Sequence, residues 1–431
     1  MKIKTINIKD LGKKNIFCRS VAETPKQVCD AVDGIIKAVI AEGDSALLRF
    51  TEKFDGVKLD KIEIDQAELD AADAEKEVDG ALLAALKTAA ENIREFHAKQ
   101  KREGFEFKRP DGAVLGQRFT PIERAGVYIP GGTARYPSTV LMDVIPAKIA
   151  GVKEIVMTTP PGKDGKIPAA TLAAAKIAGV DRVFAIGGAQ AIAALAYGTQ
   201  SVPKVDKIVG PGNAYVTEAK RRVFGLVGLD MLAGPSEILI IADGSADPDF
   251  IAADMLSQAE HDKNASAVLI CETETFAQKV VKRLEIRLET LTRREIAAQS
   301  LENNGMIIIA GLDEAIRISD SLSPEHLELC VSDPEAALAK VKNAGSIFLG
   351  HYTPEALGDY LAGTNHTLPT MGTARFSSPL SVDDFIKKSS YIRYDADSLS
   401  GVSGKIVDFA RAEGLDAHAE SVLARFEGQK V

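Results

Sequence analysis

From about residue 125 the chain alternates continuous Val/Ile runs with helical stretches. KEIVMTTPP (153–161) reads as a buried strand, and AATLAAAKIAG after it as a helix ending at Gly179. RVFAIGG (182–188) and DKIVGPGN (206–213) repeat the pattern, leading into the helices AQAIAALAYGT and AYVTEAKRRVFG. EILIIADG (237–244) opens a second series, with the helix DFIAADMLSQAEHD and the strands SAVLICET, MIIIAG and SIFLG. Apolar strands alternating with helices predict parallel sheets covered on both faces. Two α/β lobes are expected, near 130–235 and 236–350. The segment 27–105 is mostly helical, and ALLAALKTAAENIREFHAKQ is amphipathic at three and four spacing. RPDG (109–112) and PPGKDGKI (160–167) read as surface turns.

The 431 residues carry 45% apolar and 26% charged side chains, an ordinary globular balance. A net charge of −9 argues against a chain that neutralises phosphate backbones, so no nucleic-acid partner is expected. The N-terminus is basic but lacks the apolar core of a signal peptide. The longest apolar runs fall far short of a membrane span. Cys18, Cys29, Cys271 and Cys330 form no CxxC pair, which fits reduced thiols in a cytoplasmic protein.

Three Gly-rich loops fall where an α/β lobe places ligands: GVYIPGG (126–132), IGGAQA (186–191) and VGPGNAY (209–215). Each alone is more often a plain turn than a nucleotide site. Tyr215 occupies the third glycine position of the dinucleotide fingerprint, and no acidic residue stands where one normally grips a ribose.

The polar residues add a second theme. In SQAEHD, Gln258 and His261 share a helix side that continues the apolar stripe, with Asp247 as the expected N-cap and Pro248 at the first helical position. By themselves they read as a hydrogen-bonded core pair. SPEHLEL sets Glu325 beside His326, the residue types of an acid/base pair. GDYLAGTNHTLPT is a long irregular stretch with Asp359 and His366, and AEGLDAHAES brings Glu413 and His418 within six residues. Gln258, His261, Asp359 and His418 are N/O donors suited to zinc or another divalent ion, but the sequence does not prove that they converge. His97 reads as solvated or satisfied by neighbours, and His351 has no assigned role. A zinc hydrolase and a non-catalytic NAD- or amine-binding protein both remain open on the residues alone.

These motifs, together with GVYIPGG, GGAQAIAALAYGT, VGPGNAYVTEAK, LAGPSEILI and GTNHTLPTMGTARFSSPLSVDDF, resemble the histidinol dehydrogenase family from about residue 30 to the C-terminus. Thr364 is a departure, since many members carry proline there. The resemblance implies an α/β fold of two Rossmann-like, doubly wound lobes with parallel sheets, plus small N-terminal and C-terminal units. Its expected divisions are an arm at 1–25, a discontinuous substrate/zinc lobe at 26–128 with 236–380, an NAD lobe at 129–235, and a dimer-swapped unit at 381–431.

The resemblance also implies zinc- and NAD-dependent oxidation of L-histidinol to L-histidine through a bound aldehyde, with two NAD per turnover, as the last step of histidine biosynthesis. By position, Gln258, His261, Asp359 and His418 would bind zinc, and Glu325 and His326 would be the acid/base residues. Ser236, His366 and Glu413 would contact substrate, alongside the zinc ligands and His326. Tyr128, Gln190 and Asn213 would line the NAD site. A cytoplasmic homodimer with shared active sites is implied, His418 and Glu413 coming from the partner.

Overall fold

The computed structural model describes residues 3–10, 24–72, 78–131 and 136–427. They form two compact units, one of residues up to 101 with 122–385, the other of 102–121 with 386–431. In chain order the strands are β1 Lys4–Asn7, β2 Phe105–Lys108, β3 Val114–Pro121, β4 Arg124–Tyr128, β5 Glu154–Thr159, β6 Arg182–Ala185 and β7 Lys207–Val209. They continue as β8 Gly228–Leu229, β9 Glu237–Ala242, β10 Ser266–Cys271, β11 Met306–Ile309, β12 His326–Cys330, β13 Ser346–Leu349 and β14 Ile386–Arg393.

The first unit holds the two expected parallel sheets, ordered β6-β5-β4-β7-β8 and β1-β11-β10-β9-β12-β13. Alternation along each strand explains why the runs are continuously apolar. In β4 and β5, Ala125, Val127, Ile155 and Met157 enter one core, while Tyr128 and Val156 enter the other. In β9 and β10, Ile238, Ile240 and Leu269 face one side, and Leu239, Ile241 and Ile270 face the other. Both faces of both sheets are therefore dry. Truncating a wholly buried residue such as Ile155 costs about 2–5 kcal/mol in such a core.

The helices of the N-terminal segment cover the five-stranded layer. Lys26–Glu42 packs on Gly188–Tyr197 and Ala214–Val223, Asp44–Asp55 packs on Gly188–Tyr197, and Gly80–Ala98 packs on Pro137–Ala150. With β4 central in that sheet, these helices and β4 pack as one layer system around it. An amphipathic stripe announces burial but not which lobe it covers. Asp79 caps Gly80–Ala98 by accepting from the N–H groups of Ala81 and Leu82. His97 on that helix is fully buried, its Nδ1 2.7 Å from Gln100 Oε1.

The second unit is an antiparallel sheet, β14-β3-β2, paired from Ile386↔Pro121 to Arg393↔Val114, with the helices Ala396–Ala412 and Asp416–Leu423. The expected turn at 109–112 is the β2–β3 connection, closed by Gly112 N–H donating to Arg109 O at 3.0 Å. Val407, Ala410 and Ala419 form the small core between the two helices.

Of the N-terminal arm, β1 pairs with β11, while Cys18 lies outside the described residues. Cys29, Cys271 and Cys330 are free thiols. Among the described residues no helix is long and apolar enough to cross a membrane.

Candidate active site

The polar residues of the first unit gather at the amino ends of β9 and β12. Asp247 caps the Pro248–Ala259 helix by accepting from Asp249 N–H. That helix carries Gln258, wholly buried, to its last turn, and His261 follows just past its end. Glu325 and His326 enter β12 after Ser323, which holds a left-handed φ of 51°. That conformation is uncommon for a residue with a side chain and is kept only where the surroundings fix it.

Glu237, at the start of β9, holds both members of the expected acid/base pair through its backbone. Its N–H donates to Glu325 Oε2 at 2.8 Å, and its carbonyl accepts from His326 Nδ1 at 3.0 Å. With Nδ1 protonated toward a carbonyl, Nε2 carries the free lone pair. That Nε2 is buried and has no hydrogen-bond partner. Burial lowers the His326 pKa from its ordinary value and raises that of Glu325 well above the usual carboxylate range.

Beside them lies a group of possible metal donors: His261, Glu355 and Asp359 each place one ligand atom within 4.8 Å of the others. The sequence named His261 and Asp359 but not Glu355. Its signal was the four-residue spacing from Asp359 on the Glu355–Tyr360 helix, which puts both on one side. Gln258 touches this group when its amide is oriented with Nε2 donating to Glu355 Oε1 at 3.0 Å and to Glu237 O at 3.2 Å. Burial, then the neighbouring Asp359, Glu325, Glu328 and Asp254 carboxylates, raise the Glu355 pKa well above normal. Asp254 is itself pushed up to about 6 by burial. One imidazole nitrogen and carboxylate oxygens are the donor set that zinc takes, and a cation would offset the desolvation and mutual repulsion that raise these carboxyl pKa values. The residues present therefore fit a zinc ion.

His366 is held from both sides. Its Nδ1 donates to Asp359 O at 3.1 Å, and its Nε2 accepts from Thr139 Oγ1 at 3.1 Å. Its neighbours are tied to the same helix, Pro137–Ala150, by Asn365 Nδ2 donating to Met142 O and Thr367 Oγ1 donating to Asp143 Oδ1. Thr364, the departure from proline, sits among these anchors. Ser236 is half-buried directly before Glu237. His418 and Glu413 lie in the second unit, and both are exposed.

A second concavity lies at the carboxyl ends of β4, β5 and β6. Tyr128, Gln190 and Asn213 all line this cavity of about 1160 Å³. Tyr128 Oη accepts from Gly188 N–H at 3.1 Å, at the start of the Gly188–Tyr197 helix. Gly188 has a φ of +65°, so the loop turns there as glycine permits. Asn213 caps Ala214–Val223, its Oδ1 accepting from Tyr215 and Val216, which leaves its amide N–H groups for a ligand. Gln190 Oε1 is buried without a partner. Of GVYIPGG, Gly132 lies outside the described residues.

The sequence profile of the family Histidinol dehydrogenase matches residues 19–426. A histidinol dehydrogenase of Bacillus cereus is 54% identical over 93% of this chain and 92% of its own. One of Geobacter metallireducens is 52% identical over 99% of both chains. The crystal structure of histidinol dehydrogenase from Elizabethkingia anophelis superposes with a TM-score of 0.92 at 39% identity, covering 99% of this chain and 98% of that one. With its two parallel sheets, its buried Glu-His pair and matches of this extent, the chain belongs to the histidinol dehydrogenase family.

Proposed function

We propose that Glu325 and His326 perform the proton transfers of a two-stage oxidation on a substrate held by the His261–Asp359 group. As a family member the chain is an NAD-dependent oxidoreductase that oxidises histidinol to histidine, the final step of histidine biosynthesis. When bound, NAD takes up the hydride of each oxidation and zinc fixes the substrate's nitrogen donors. Taking an alcohol to an acid removes four electrons, so two NAD are used, and an aldehyde lies between the stages.

The observation that carries this reading is the orientation of His326. Its Nδ1 is committed to the Glu237 carbonyl, and its Nε2 is buried and unpartnered. Nε2 therefore accepts the substrate hydroxyl proton in the first stage. Glu325, a buried carboxyl beside His326 whose pKa desolvation raises above the usual carboxylate range, accepts a proton from the water that attacks the aldehyde. Gln258, His261 and Asp359 would hold zinc, with His418 of the partner subunit as a further ligand and Glu355 supporting the set. Ser236 and His366, with Glu413 of the partner subunit, would contact the substrate. Tyr128, Gln190 and Asn213 would line the NAD site in the five-stranded lobe, with the substrate and zinc bound by the six-stranded one.

A homodimer with shared sites is supported by the second unit. Its Glu413 and His418 are exposed in the single chain, and Phe105, Phe107, Ile392 and Phe409 expose half or more of their area. Apolar side chains so exposed favour burial against a second copy. Free buried thiols fit a cytoplasmic setting. Single-turnover assays started from histidinol and from histidinaldehyde test the roles. Loss of both stages in Glu325→Gln would overturn the division between Glu325 and His326.

A further inference from the structure

We propose that Asp55 receives the ribose hydroxyls of the dinucleotide and makes the cavity prefer NAD over its 2′-phosphorylated form. The proposal rests on the reading that the cavity at Tyr128, Gln190 and Asn213 is the NAD site.

The usual acidic ribose ligand of a nucleotide-binding lobe sits at the end of the second strand. Here β5 ends in Thr158 and Thr159, followed by Pro160 and Pro161, and offers no carboxylate. Among the described residues lining the cavity, Asp55 is the single carboxylate. It comes from outside the sheet, as the last residue of the Asp44–Asp55 helix.

Three observations set Asp55 apart from an ordinary surface acid. Its Oδ2 is buried and has no hydrogen-bond partner, an acceptor waiting for a donor. It stands at a helix C-terminus, where the peptide dipole disfavours negative charge, so its position is not explained by helix stability. Its helix is fixed, since Leu47 and Phe50 are buried in the core with Phe184 and Ile186. Burial alone pushes its carboxyl up to about 6, leaving it ionised at neutral pH and short of donors.

A cis-diol supplies two O–H donors to one carboxylate, which is the complement this oxygen lacks. A 2′-phosphate supplies none and adds like charge at short range. Lys53 and Lys163 line the same cavity from exposed positions. The Lys53 ammonium lies over the Phe54 ring at 5.3 Å from its centroid. These cations suit the pyrophosphate.

The test is steady-state kinetics of the full-length, zinc-loaded enzyme with NAD and with NADP, for Asp55→Asn, Asp55→Ala and, as a companion, Gln190→Ala. The expected result is a roughly 10-fold or greater rise in KM for NAD in both Asp55 variants, with kcat within about twofold. The preference for NAD over NADP should fall by a similar factor. An unchanged KM and preference in the Asp55 variants, with Gln190→Ala raising KM for NAD, would overturn the role of Asp55 while leaving the site in place. No change in any of the three would overturn the reading of the cavity itself.

Discussion

His326 and Glu237 are joined by a 3.0 Å hydrogen bond from imidazole Nδ1 to backbone carbonyl, a contact made by pairing two parallel strands at their amino ends. A backbone carbonyl cannot be titrated away, so the tautomer of His326 is set by the fold. His326→Asn should lower kcat by about 10²–10⁴-fold, the usual worth of a positioned general base. Zinc content should stay at the wild-type level, and a large loss of metal would place His326 in the metal site instead.

The pH profile follows from the same burial. Desolvation lowers the His326 pKa below its ordinary 6.5. The neutral form is the working form, so in single turnovers started from histidinol the acid limb should lie below pH 6.5. An acid limb above that value in this first stage would contradict the assignment of His326 as base.

Glu355 is the residue that the structure adds to the metal group. Removing it by Glu355→Ala takes one carboxylate from a donor set within 4.8 Å and leaves the Gln258 amide unpartnered on that side. Zinc affinity, measured by chelator competition, should weaken by about 10–100-fold. Wild-type affinity would leave Glu355 as a packing residue only.

Asp143 gives a stability prediction independent of catalysis. It is fully buried, accepts from Thr367 Oγ1 at 2.6 Å, and is pushed up to about 8 by burial. An acid whose folded pKa is raised binds its proton more tightly folded than unfolded. Its presence therefore costs stability progressively as pH rises from about 4 toward 8. Asp143→Asn should match the wild-type melting temperature near pH 4 and exceed it increasingly up to pH 8. A constant difference across that range would show that Asp143 does not titrate as described.

Much of this architecture is written in the order of residue types. Continuous Val/Ile runs gave away β5, β6, β7, β9, β10 and β11, because both faces of a parallel sheet are dry. The second unit was less legible. Its middle strand β3 pairs with β14, whose residues lie far along the chain, and nothing local in Val114–Pro121 announces that partner. The site behaves likewise. Gln258, His261, Glu325, His326 and Asp359 stand in recognisable motifs and Glu355 shares a helix side with Asp359, whereas Thr139 becomes a neighbour of the site only through the packing of a separate helix. Glu237 acts through its backbone, which no side-chain pattern records.

The most direct test of the account is the number of NADH formed per histidinol consumed, before and after removal of metal. Two NADH per histidinol, abolished by chelation and restored by zinc, is the predicted result. One NADH per histidinol would mean that the reaction stops at the aldehyde and that Glu325 does not activate water. Activity undiminished in metal-free protein would contradict the role given to His261, Asp359 and their neighbours.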